Sequence, residues 1–99
     1  MPEQIPKSVF AENLKTKFRV QRGAASPVEV ELIEVSEGKA SPKQEYFSLF
    51  FRGPHDQFLS QGTYTVEHEK IETFDLFLVP IAREAEGFHY EAVFNRFLT

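Results

Sequence analysis

From Lys17 onward the chain reads as short runs of alternating apolar and polar residues, separated by loops of Gly, Pro and Ser. "KFRVQ" sets Phe18 and Val20 against Arg19 and Gln21, and "EYFSLFFRG" puts Phe47, Leu49 and Phe51 on one face. Strand side chains alternate between two faces with a period of two, so this pattern predicts strands that bury one side. "TYTVEHE" places Tyr64, Val66 and His68 together, and "FHYEAVFNRF" does the same for Phe88, Tyr90, Ala92 and Phe94. "TFDLFLVPI" is apolar on nearly both sides, and its Pro80 predicts a strand end or an edge. In "VEVELIEV" the alternation flips phase at Ile33 and Val35, as a β-bulge or a bend requires.

Six such runs predict an all-β chain. Short connections favour antiparallel meander pairing, with successive strands as neighbours. A sheet of this length curls into a small six-stranded barrel or a barrel-like sandwich, and closure hides edges that these apolar strands would otherwise expose. "SVFAENLKTKF" adds a short N-terminal helix, with Ser8 as its N-cap and Phe10 and Leu14 spaced i, i+4 on one side. Residues 1–8 carry two prolines and are expected to lie loosely on the surface. "SEGKASPKQ" reads as a polar loop.

The 99 residues make one domain. Its core material is aromatic, eleven Phe and three Tyr concentrated between Tyr46 and Phe97. No cysteine is present, which excludes disulfides, thiolate metal sites and a cysteine nucleophile. The formal charge of −4, with Lys and Arg scattered, argues against nucleic acid as a partner. No run approaches the ~18 apolar residues of a membrane span, and the N-terminus has no signal-peptide pattern. The sequence therefore predicts a cytoplasmic protein without membrane insertion.

Several residues are candidates for chemistry. His55 and Asp56, with Ser60 or Ser48, have the types of a hydrolytic dyad and nucleophile. No G-x-S-x-G pattern accompanies them, and Gly53-Pro54 with Asp56 capping a backbone N–H reads as a turn. His89 and Glu91, at i, i+2 on one strand face, could share a metal with His68, but solvent-facing His and Glu are ordinary on strands, so no metal or cofactor is expected. Arg52 and Arg96 each end an aromatic strand, where a guanidinium binds an anion or pairs with a glutamate. Both place polar order at one rim of the sheet. A barrel mouth formed by Arg52, His55, Tyr64, His68 and Arg96 would suit a small molecule or carbohydrate. Tyr46, Phe50, Phe58 and Phe97 are assigned to the core, since little else fills it. Exposed together, they would form a protein-binding patch instead.

The words "FSLFFRGP", "QGTYTVEH", "LFLVP" and "YEAVFNR" resemble a small bacterial family known as a domain of unknown function. The resemblance runs from about Phe10 to Arg96 and is most specific at Gln61-Gly62-Thr63-Tyr64 and from Tyr90 to Arg96. Family members often carry a glycine in the turn after the "QGTY" strand, where this chain has Glu72. The resemblance implies proteins encoded near phage-tail collar-type proteins and carries no catalytic residue over. Within its wording, Gly62 is read as a tight-turn glycine and Tyr64 as a core residue with a polar tip. The chain is thus expected to be a non-enzymatic interaction or structural module whose partner is another protein.

Overall fold

The computed structural model describes residues 5–38 and 43–97, so the centre of the predicted polar loop, 39–42, lies outside the described residues, as do 1–4 and 98–99. One helix, α1 (Lys7–Glu12), precedes six strands: β1 (Lys17–Arg22), β2 (Ala25–Glu37), β3 (Gln44–Gly53), β4 (Gly62–His68), β5 (Ile71–Glu84) and β6 (Gly87–Phe97). All pairings are antiparallel, and the single sheet closes in a ring in the order β1-β2-β3-β6-β5-β4.

The alternation puts the expected side chains inside. Phe18 and Val20 of β1, Phe47, Leu49 and Phe51 of β3, and Tyr90, Ala92 and Phe94 of β6 are all buried. Phe47 and Phe94 stack with centroids 4.6 Å apart, and Phe18 meets Phe51 edge-on at 5.4 Å. Each buried Phe contributes roughly 1.5–3 kcal/mol of hydrophobic stabilisation, so the aromatic interior holds the ring together. The phase flip in β2 is a register shift between Leu32 and Glu34, which leaves Ile33 as the extra residue.

The meander expectation fails at one connection. β3 and β4 are successive in sequence but not neighbours, because β6 occupies that side of β3 from Gln44↔Phe97 to Gly53↔Phe88. The chain instead carries β4 across to β1, where Arg19↔Glu67 and Val20↔Val66 close the ring. Residues 54–61 make this crossing. Leu59 pins them by burying its side chain and donating its N–H to the Tyr90 hydroxyl at 2.9 Å.

Pro80 lies within β5 rather than ending it, opposite Tyr90 and next to a register shift before Ala82. A bulge suits a proline because the ladder there does not need its missing N–H. The bulge belongs to a strand that changes partners: 71–78 pair with β4 and 79–84 with β6. Where the β5–β6 ladder is not made, Phe10 of α1 fills the interior, 5.6–6.3 Å from the rings of Phe94, Phe74 and Phe47.

The helix starts after Pro6, not Ser8, and has no side-chain cap. Leu14 falls beyond its end and is exposed, so Phe10 alone of the predicted pair is buried. Ile5, in a segment expected on the surface, is buried as well. Six residues are too few for intrinsic helical stability, so α1 is held by what it buries. Gly62 opens β4 with open space around it and no left-handed φ, so it is an ordinary strand residue rather than a turn glycine. Glu72 lies inside β5, and Glu69 and Lys70 make the β4–β5 turn.

Candidate functional site

The five residues proposed for a barrel mouth are not brought together. Arg52 points outward from β3 and meets Glu31 of β2 at 3.2 Å. Arg96 sits at the other end of the same β3–β6 ladder, 3.6 Å from Glu45. The seven residue steps from 45 to 52 span roughly 23 Å of strand, so the two arginines mark opposite ends of the sheet, not one rim. Antiparallel pairing decides this, since the last residues of β3 meet the first of β6. His55 is exposed in the crossing loop, and Tyr64 donates its hydroxyl proton to the Ser60 carbonyl at 2.6 Å. His68 is buried.

The hydrolytic and metal candidates likewise form no joined group among the described residues. His55 and Asp56 are both exposed, and Ser60 Oγ lies 3.5 Å from the Tyr64 hydroxyl. The turn there is closed by Gln57 N–H on the Pro54 carbonyl at 3.4 Å rather than by Asp56. His89 faces Glu84 at 3.2 Å, while Glu91 accepts from Ser48 at 2.8 Å. His68 lies on β4, which does not adjoin β6. Among the described residues no three His, Asp or Glu gather in a metal-binding group.

Arg52 belongs to a different feature, a groove of about 630 Å³ on the outside of β1, β2 and β3, walled by Lys17, Arg19, Glu29, Glu31 and Pro54. Three of its charges pair within it: Glu31 lies between Lys17 at 3.6 Å and Arg52 at 3.2 Å. Such exposed pairs contribute little stability, but they fix an ordered polar surface.

The outer wall of β3, β6 and β5 is different in kind. Tyr46 (38% exposed), Phe77 (50%), Val93 (64%) and Phe97 (79%) point to solvent there. Val93 is central, opposite Ser48 on β3, sharing a cleft of about 220 Å³ with Phe77 and another hollow with Tyr46. Tyr46 sits opposite Asn95, and Phe97 opposite Gln44. Hydrogen-bonded polar side chains are interleaved with these residues, one opposite each of Tyr46, Val93 and Phe97. Gln44 donates to Asn95 at 2.6 Å and to the Tyr46 hydroxyl at 3.0 Å, Ser48 to Glu91, and Thr65 to Asp75 at 3.0 Å.

Tyr46, Phe58 and Phe97 are therefore exposed rather than core, and Phe50 is half-buried. The ring is already filled by the alternate face of each strand, which leaves no room for them. Sequence reasoning missed Phe77 and Val93. Their signals were an apolar run on both faces of β5 and a valine among His89, Glu91 and Asn95 on the outward face of β6.

His68 is a site of its own. Its Nε2 lies 2.8 Å from the Thr16 hydroxyl, its Nδ1 accepts the Lys70 backbone N–H at 3.0 Å, and Phe18 lies against the ring at 4.4 Å. Burial pushes its pKa below the ordinary 6.5; Glu69 opposes that, and Lys70 and Arg19 add to it. Burial likewise raises the Tyr90 phenol, against the Leu59 hydrogen bond that would lower it.

Fold and surface together define a small all-β domain: a closed antiparallel sheet with a packed interior, a helical plug and an outward wall that exposes aromatic side chains. The chain belongs to a family described as a domain of unknown function (DUF6916), matched over residues 6–94. No curated protein and no solved structure matches it.

Proposed function

We propose that this domain is a non-enzymatic docking module that binds another protein through the outward wall of β3, β6 and β5. The observation that carries this reading is the group of Tyr46, Phe77, Val93 and Phe97, exposed on adjoining strands and interleaved with hydrogen-bonded polar side chains. Burying such side chains against a partner contributes about 25 cal/mol for each Å² removed from water, and aromatic residues among hydrogen-bonding groups suit a contact surface. The exposure of His55 and Asp56, and the pairing of Ser60 with Tyr64 instead of either, support the non-enzymatic part. The sequence resemblance to proteins encoded beside phage-tail collar-type proteins supports a tail-like or surface assembly as the partner's setting.

The test is affinity capture from the native host with the wild-type domain and a Phe77→Ser/Val93→Ser variant, followed by mass spectrometry. A partner recovered by the first and depleted about tenfold or more by the second, at equal thermal stability, is the expected outcome. Equal recovery by both would place the contact elsewhere. Repeated failure to recover any specific partner counts against docking altogether.

The groove around Arg52 favours a second reading, a binder of small polar molecules or carbohydrates, since its volume is in the range of ligand sites. Titrating a saccharide panel while following the backbone amides of Arg19, Glu31 and Arg52 tests it. Unmoved resonances throughout would dispose of it.

A further inference from the structure

His68 and Asn13 are the buried polar residues among those described, and hydrogen bonds link them. Asn13 Nδ2 donates to the Val9 carbonyl of α1 at 2.7 Å. The Thr16 hydroxyl donates to the Asn13 carbonyl at 2.6 Å and lies 2.8 Å from His68 Nε2. On the far side of the ring, Lys70 N–H donates to Nδ1 at 3.0 Å. These partners fix the tautomer. Nδ1 faces a donor and must be bare, so Nε2 carries the hydrogen. The Thr16 hydroxyl, with its one proton on a carbonyl, accepts from it.

We propose that His68 is a proton-operated latch for helix α1: the neutral ring ties the turn after α1 to the β4–β5 turn, and a proton on Nδ1 releases it. A charged ring presents N–H on both sides. Nδ1–H then points at Lys70 N–H, donor against donor, and that bond is lost. The ring leaves its seat on Phe18, which withdraws Nε2 from Thr16. The same turn is anchored to β2 by Lys15 N–H on the Leu32 carbonyl at 2.7 Å and Leu32 N–H on the Thr16 carbonyl at 3.1 Å. Loosening it frees a six-residue helix that cannot persist undocked. Phe10 then leaves the rings of Phe47, Phe74 and Phe94.

Proton access and local charge fit such a device. His68 lines an outward hollow of about 370 Å³ with Thr16, Lys17, Arg19, Glu29 and Glu69. Arg19 from β1 and Lys70 in the turn disfavour the proton, and Glu69 in the turn favours it. Lys17 from β1 and Glu29 from β2 face the same hollow, and Arg19 is itself held by Glu67 at 3.5 Å. Burial keeps the ring neutral at ordinary pH. The latch goes beyond the docking reading and stands without it.

The test is a titration of the full chain from about pH 7.5 downward until the His68 ring has titrated, following that ring and the backbone amides by NMR. The Lys70, Thr16, Val9 and Phe10 amides are expected to move together, with the midpoint of the His68 ring. Amide exchange across α1, corrected for its intrinsic pH dependence, is expected to quicken about tenfold or more below that midpoint. In His68→Asn, which accepts from Lys70 but does not titrate, α1 exchange is expected to stay flat. An α1 indifferent to the His68 midpoint in the wild type overturns the proposal, as does an unchanged acid response in His68→Asn. Should that variant not fold, the wild-type comparison of midpoints decides alone.

Discussion

Gly87 has φ +143°, and a Cβ placed on it would lie 1.9 Å from the Gly53 carbonyl oxygen. Neither the backbone conformation nor the contact tolerates a side chain, because the obstructing atom is main chain. Gly87→Ala is expected to cost about 2 kcal/mol or more, or to prevent folding, read as the urea midpoint. Gly62, which the motif wording makes more conspicuous, has open space around it. Gly62→Ala should be neutral or stabilising by up to about 0.5–1 kcal/mol, since glycine weakens a strand. His68 gives the pH dependence. Its folded pKa lies below the ordinary 6.5, so the unfolded chain binds more protons between the two values. This contribution is therefore fully present above pH 6.5 and is lost as the pH falls through that window toward the folded pKa. Urea unfolding across pH should show a decline there that His68→Asn removes.

At the scale of elements, α1 and the crossing loop each insert one buried side chain into the interior, Phe10 and Leu59. Phe10→Ala empties the space among Phe47, Phe74 and Phe94 and should cost roughly 3–5 kcal/mol by chemical denaturation. Tyr90→Phe keeps the ring but leaves the Leu59 N–H buried without its acceptor, at roughly 1–3 kcal/mol. Proteolysis within residues 54–61 should quicken in that variant, which separates loop release from a general loss of stability. The bulge at Ile33 was legible because it flips the alternation of one strand. Pro80 was not, because a proline beside a bulge and a proline at a strand end leave the same trace in sequence.

For the molecule as a whole, closure through β1 and β4 divides the side chains into a packed interior and an outer wall. Phe77 and Val93 lie on that wall, so Phe77→Ser/Val93→Ser should change the melting temperature little, by about 0.5–1 kcal/mol or less per site. Partner binding should fall far more. The exposed aromatic wall was only half legible. Tyr46 and Phe97 were assigned to the core with an exposed patch as the alternative, whereas Phe77 read as core within an apolar run. The Arg52–Arg96 pairing could not have been excluded without the register of β3 against β6.

The alternation of side chains along each run, set by the two-residue period of a strand, by itself determined the six strands, the all-β class and the inward faces of every strand but β5. Only the tertiary structure decided which strands adjoin, because pairing depends on edges far apart in the chain. It took β6 to occupy the side of β3 that a meander would give to β4, and so turned residues 54–61 into a crossing. It also decided which aromatics face water. An interior of this size fills with one face of each strand, and the surplus rings remain outside.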